Sequence, residues 1–198
     1  MTASHEDHLH QHFGAECKNH PDFQLPWVQS ILNDPNVEII DEMAPNIDSS
    51  EVSRSMFFVT LAHPTGLRSR IPVRRPCSEA DSSSGQEYVF ILSAGNGLDG
   101  KSGRAHGGLS SLLLDHMTGM AASHECPQGG DPPATAFLNV DYKNPISTPS
   151  VFLARSWVTE VSGRKIFVKG VLEEGSGKVL ATGKALFIKA RPQTKAAL

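Results

Sequence analysis

The 198-residue chain is poor in cysteine: Cys17, Cys77 and Cys126 are odd in number and widely spaced, with no CxxC pair among them. That pattern excludes a disulfide framework, a zinc ribbon and a dithiol redox site, and reads as three reduced thiols. Long hydrophobic runs are also missing. Hydrophobic residues make up 39% and charged residues 20%, and no apolar stretch approaches the roughly 18 to 20 residues that a membrane-spanning helix needs. Nor is there a surplus of one charge, since 18 Lys and Arg stand against 21 Asp and Glu for a net −3. Without a basic excess to neutralise phosphates, nucleic acid is not an expected partner. The opening MTASHEDHLHQHFGAECKNH has neither the basic-then-apolar order of a secretory signal nor the Arg-rich make-up of a mitochondrial presequence, and the closing KAAL is no peroxisomal address. The default expectation is a cytoplasmic protein.

What is present divides into residues 1–50, an N-terminal tail; 51–191, one domain; and 192–198, a C-terminal tail. In the tail, His5, His8, His10 and His12 form a polar cluster that could bind metal, but a stretch without apolar periodicity reads as a mobile terminus, and no metal is expected. Pro26 opens a short peripheral helix carrying Val28, Ile31 and Leu32. Within the domain, Met56–Leu61, Leu67–Val73 and Tyr88–Leu92 read as strands, the last two separated by the polar loop Pro76–Gly85. One long helix follows, over Leu109–Ala122. Its apolar stripe is Leu109, Leu112, Leu113, Met117 and Met120, and a small-residue face holds Ser111, Asp115, Thr118, Gly119 and Ala122. Ala136–Tyr142, Val151–Val161, Lys165–Leu172 and Val179–Ile188 then read as a four-strand antiparallel meander with turns at Ser162-Gly163 and Glu174–Gly177. The order predicts an α+β domain, a curved antiparallel sheet around one helix.

Two motifs compete for the chemistry. Gly95–Ser102 matches both GxGxxG and GxxxxGK[ST], but Gly103, Gly107 and Gly108 follow where a phosphate loop would open its helix, so a chance match in a glycine-rich loop is the better reading. His106-Gly107-Gly108 stands at the mouth of the long helix. Glycines there let backbone N–H groups approach a ligand at the positive end of the helix dipole, which makes an oxyanion site, although the pair could also serve only a tight turn. Asp115 lies nine residues beyond His106, roughly 13 Å along the axis and on the opposite side by helical count. One subunit cannot bring both to one substrate. If both are catalytic, two helices lie antiparallel, and a homodimer with two shared sites follows.

The run HGGLSSLLLDHMTGMAA, then TAFLNVDYKNPI, the hairpin VSGRKIFVKGVL and the strand ATGKALFIK resemble the hotdog-fold acyl-CoA thioesterases, in particular their PaaI-like branch, over about Gly97–Arg191. The resemblance implies a dimer whose central helices are wrapped by a joined sheet, often paired again into a tetramer, hydrolysing acyl-CoA or acyl-carrier thioesters of lipid metabolism without a cofactor. It implies that the Gly107 amide polarises the carbonyl, that His106 supports that loop or contacts the carbonyl, that Asp115 of the partner subunit is the general base or the nucleophile, and that Thr135 helps hold the attacking water. Gly108, Lys143, Asn144, Arg164 and Lys165 are candidate contacts to substrate, the charged ones to coenzyme A phosphates. Some relatives place an Asn six residues before the histidine; here that position is Gly100. His116 falls toward the apolar stripe and reads as a core histidine. A hotdog dehydratase, isomerase or cyclase, and a non-catalytic acyl-ligand-binding protein, are the alternatives.

Overall fold

The computed structural model describes residues 15–40, 56–126 and 131–191. The histidines at 5, 8, 10 and 12 lie outside them. Two 3-10 turns, Ala15–Asn19 and Pro21–Phe23, lead into α1, Pro26–Leu32, the peripheral helix expected at Pro26. Among the described residues nine strands follow: β1 (Glu38–Ile39), β2 (Leu67–Pro76), β3 (Gln86–Ala94), β4 (Asp99–Lys101), β5 (Arg104–Ala105), β6 (Ala134–Tyr142), β7 (Ser150–Ser162), β8 (Lys165–Glu174) and β9 (Val179–Ile188). Helix α2 spans Gly107–Ser123 between β5 and β6. Seven strands form one antiparallel sheet in the order β1-β2-β3-β7-β8-β9-β6, with β4 and β5 as a separate hairpin. One long helix on a curved antiparallel sheet is the expected α+β hotdog architecture.

Two local expectations change. Met56–Thr60 is a helical turn rather than a strand. A short all-apolar run has no period of its own to choose between the two, and here Phe57 stacks on His116, with ring centroids 3.9 Å apart, over the flank of α2. The second change concerns the meander. Of the four expected meander strands only β7, β8 and β9 are joined by hairpins, because β6 crosses to the far edge and pairs antiparallel with β9, Leu138 opposite Ala185. Its link to β7, residues 143–149, carries Pro145 and Pro149 in place of a two-residue turn, and β7 finds its other neighbour in β3.

The helix sits where the sheet has no side chains to hold it off. Gly170 of β8 and Gly183 of β9 are cross-strand partners. A Cβ on Gly170 would come within 3.0 Å of Thr118 Cγ2 and 3.1 Å of Leu114 Cδ2, and one on Gly183 within 3.3 Å of the same Leu114 carbon. Ser156 of β7 adds a buried hydrogen bond to the Met117 carbonyl. Thr118 and Ala122 are therefore fully buried and Gly119 lies against Phe187. Of the small-residue face expected from the sequence, Ser111 and Asp115 stay half-accessible, with the exposed Gly107 and Gly108 before them.

The outer face of the sheet is covered by the segment before β1, with Cys17, Phe23 and Val28 packed on Ile71, Val73, Val89 and Ile91. Beyond it, Arg155 of β7 is only 11% exposed and donates to Glu87 (2.6 Å), Glu173 (2.9 Å) and Glu79 (3.1 Å), while Arg75 donates to the same Glu87 at 2.6 Å. Burial opposes the guanidinium charge, but Glu87 and Glu173 outweigh it and hold its pKa above the ordinary value. Asp81 ties the 77–85 loop down by accepting from Lys169 and from Trp157 Nε1, contacts that hold its carboxyl below the usual range. Replacing Arg155 by Met should strand Glu87, 3% exposed, with Arg75 alone. We expect a loss of about 3 kcal/mol in urea unfolding, and an unchanged midpoint would contradict this account of the network.

Candidate active site

The site is assembled at α2. His106 leaves β5 in extended backbone (φ −61°, ψ 137°) and caps the helix, its Nδ1 accepting the Gly108 N–H at 2.9 Å. Accepting at Nδ1 places the proton of the neutral ring on Nε2. Because His106 is a cap and not a helical residue, the angular count from it to Asp115 does not hold, although the axial separation does. Gly108 needs its missing Cβ, which would lie 2.8 Å from His106 Nδ1, and its N–H is spent on the cap. Gly107 then supplies the N–H that the first helical turn leaves over. Of the two glycines read as an oxyanion pair, one N–H is available to a ligand.

Asp115 follows on the same face. Gly107, Ser111 and Asp115 stand at i, i+4 and i+8, one stripe roughly 12 Å long. The edge strand β6 runs beside it and bonds to it twice. Thr135 donates its hydroxyl to Asp115 Oδ1 at 3.0 Å, and the Tyr142 hydroxyl lies 2.5 Å from Ser111 Oγ. Thr135 and Asp115 thus belong to one subunit, at the end of β6 away from the helix mouth. Ser111 and Tyr142 were not singled out from the sequence. The stripe period contained Ser111, but only the crossing of β6 over the helix brings Tyr142 to it.

The remaining candidates separate into two groups. Lys143 and Asn144 sit at the helix-mouth end, where Lys143 pairs with Asp141 at 3.6 Å and Asn144 Nδ2 donates to the Val179 carbonyl at 2.7 Å. Arg164 and Lys165 are at the other end of the sheet, since Lys165 is opposite Ile188 and Ile188 is opposite Ala134, next to Thr135. Arg164 Nε donates to the Lys189 carbonyl. One chain therefore does not unite Gly107 with Asp115, nor Lys143 with Arg164. Lys101 and Ser102 lie at the tip of the β4–β5 hairpin, where no helix opens, so the phosphate-loop match has no structural counterpart. His116 is half-buried and flanked by the rings of Phe57 and Phe90, with the fully buried Arg70 guanidinium 5.0 Å from the Phe90 ring, which places it against the apolar side of the helix. A cavity of about 270 Å³ between Trp27, Ile146, Phe152, Glu174 and Leu180 touches none of these candidates. Among the described residues no three His, Cys, Asp or Glu side chains are grouped so as to hold a metal, and no helix is long and apolar enough to cross a membrane.

Comparison with known proteins bears out the resemblance. Residues 102–181 match the thioesterase superfamily. The chain is 37% identical over 108 residues to acyl-coenzyme A thioesterase THEM4 of Rattus norvegicus, covering 54% of this chain and 45% of the relative. It is 38% identical to the Xenopus laevis THEM4, over 54% and 47%. The chain thus spans just under half the length of these relatives. Among solved structures, zebra fish thioesterase superfamily member 2 is similar at 20% identity and a TM-score of 0.48, over 59% of this chain and 81% of that one. A Bacillus halodurans protein crystallised with CoA is similar at 24% and 0.47, over 50% and 65%.

The cap generates a prediction that needs no substrate. His106→Ala and Gly108→Ala should each cost about 1 kcal/mol of stability. Gly107→Ala, whose Cβ meets only the Tyr142 ring at 3.5 Å, should not lower the thermal midpoint. Equal losses from both glycine variants, read by calorimetry, would be inconsistent with the division of roles.

Proposed function

We propose that this chain, thioesterase-superfamily over residues 102–181, hydrolyses acyl-CoA thioesters as a homodimer with two shared sites. The observation that carries the reading is the stripe Gly107–Ser111–Asp115, exposed at Gly107 and half-buried at Ser111 and Asp115, beside β6, a strand with no partner on its outer edge among the described residues. The stripe offers one electrophile-binding end and one basic end about 12 Å apart, complementary to a second copy running the other way. An unpaired edge strand exposing Phe137 (43%) and Tyr142 (58%) is suited to continue the sheet into that copy. The names of the THEM4 relatives supply the substrate class.

In such a dimer the Gly107 N–H of one subunit receives the thioester carbonyl at the positive end of the helix. The partner's Asp115 takes a proton from water, whose oxygen bonds to the carbonyl carbon as the carbonyl electrons move to oxygen. Thr135 occupies Oδ1 of Asp115, which leaves Oδ2 to receive the water proton. Collapse of the tetrahedral intermediate breaks the C–S bond, and the proton held by Asp115 returns to the departing thiolate, giving carboxylic acid and thiol. The same antiparallel arrangement brings Lys143 and Asn144 of one subunit to the rim that carries the partner's Arg164 and Lys165, a composite cradle for the phosphates of coenzyme A. A dimer suffices for both sites; a tetramer is not required by them.

Asp115→Asn should lower acyl-CoA hydrolysis by at least about 100-fold, followed as free CoA by chromatography over short, long, aromatic and β-keto acyl groups. Loss of water from a substrate without thiol release would redirect the assignment to a dehydratase. Binding with no turnover in either protein would mark an acyl-ligand-binding protein. The dimer has its own test. Pairing Gly107 with the partner's Asp115 puts Ser111 opposite the partner's Ser111 on the two-fold axis. Ser111→Cys should therefore form an intersubunit disulfide under mild oxidation, located by peptide mass mapping to separate it from Cys17, Cys77 and Cys126. A monomer by sedimentation at micromolar concentration would exclude the shared site.

A further inference from the structure

Within the mouth of α2 itself the side-chain donor is the Nε2–H of His106. Gly100 packs under His106, where a Cβ would meet Cδ2 at 2.8 Å, and Gly107 and Gly108 present only backbone. His106 has Nδ1 committed to the cap. Lys143 and Asn144 at this end are engaged by Asp141 and the Val179 carbonyl, and one further polar side chain among the described residues lies against Gly107. It is Tyr142, at the last residue of β6, 58% exposed, with Cε1 and Cζ 3.5 and 4.0 Å from where a Gly107 side chain would begin. Its hydroxyl is fixed against Ser111 Oγ, one turn inside the mouth and on the line from Gly107 to Asp115.

We propose that the Tyr142 hydroxyl, held by Ser111, donates a second hydrogen bond to the thioester carbonyl oxygen beside the Gly107 N–H. This deepens, and rests on, the thioester-hydrolase reading. Three features argue for a substrate contact over a packing role. The hydroxyl is on the exposed stripe and not in the core, so burial does not explain it. Ser111 Oγ can donate to the tyrosine oxygen, which leaves the phenolic proton for an outside acceptor and strengthens it as a donor. The Tyr142 ring lies over Gly107, 3.5 Å from where a side chain there would begin, so that a carbonyl seated on the Gly107 N–H has the ring beside it. Ser111 is then a positioning residue, acting through Tyr142.

The experiment uses the full chain and an acyl-CoA whose hydrolysis is lost in Asp115→Asn. Tyr142→Phe keeps the ring and should fold and dimerise as the parent by calorimetry and sedimentation, while kcat falls by about 10- to 100-fold with KM little changed. Ser111→Ala should lower kcat less, and the double variant should match Tyr142→Phe alone, because both remove one device. In the Asp115→Asn background the infrared carbonyl band of the bound thioester should move to higher frequency when Tyr142→Phe is added. An unchanged kcat, a rise in KM alone or an unmoved carbonyl band would overturn the proposal while leaving the hydrolase reading intact. If no acyl-CoA shows Asp115-dependent release, the hydrolase reading fails and this assignment fails with it.

Discussion

The close approach of α2 to the sheet at Gly170 and Gly183 governs the rest of the structure. Two glycines paired across β8 and β9 remove the side chains that would hold the helix off, and Leu114 and Thr118 fill the space. By helical count Gly107 lies within about 20° of Leu114 and Thr118, so the stripe Gly107–Ser111–Asp115 begins in line with the packed face and winds about 80° away from it, under the edge strand β6. The polar stripe therefore borders the packed face and is not opposite to it. Thr118 shows the economy of the arrangement. Its methyl fills the glycine gap, and its hydroxyl returns to the Leu114 carbonyl, so that a polar residue is fully buried with its hydrogen bond made.

The glycine-rich stretch before the helix has the same kind of origin. Gly95 and Gly97 lie against Thr65, where an added Cβ would be 2.5 Å from Thr65 atoms, and their N–H groups donate to the Gly66 and Thr65 carbonyls. Gly100 is required by His106, and Gly103 turns the β4–β5 hairpin at φ +72°. Each glycine in the phosphate-loop pattern that packs against a neighbour thus serves to bring backbone to backbone around the helix cap. The pattern and the chemistry it resembles part company because a phosphate loop needs a helix to start at its Lys-Ser, and this chain starts its helix five residues after Ser102, at Gly107.

How much could be read beforehand follows from the range of the interactions involved. The hairpins β7–β8 and β8–β9 were legible because their turn residues and alternation are local, and Val179–Ile188 falls on the expected bounds. His106, Gly107 and Asp115 were legible because a helix fixes its own spacing, and Thr135 through the motif it opens. The destination of β6 was not. Edge position is decided by which partners β7 already has, and nothing within Ala134–Tyr142 encodes that. Met56–Thr60 failed for want of a period, and the Arg155 network because its members come from β3, β7, β8 and the 77–85 loop, far apart in sequence. Tyr142 combined both difficulties, since its partner Ser111 depends on the crossing of an edge strand over a helix.

The split of the candidate residues between two ends of one chain is itself the strongest structural reason for a shared site. A single-subunit site would ask β6 to carry Thr135 and Tyr142 to the same substrate, yet seven residues of strand hold them roughly 23 Å apart along the backbone, each bonded to a different turn of α2. Moving Asp115 to the helix mouth would bury a carboxylate against the Gly107 end and give up the Thr135 bond; moving the oxyanion donor inward is impossible, because only the first turn has N–H groups to spare. The donor must be at the N-terminus of a helix and the acid must be displaced from it. In the proposed dimer two-fold symmetry would resolve the conflict without altering either helix, by letting each N-terminus meet the other's middle, in a register centred on Ser111, whose hydroxyl lies against that of Tyr142.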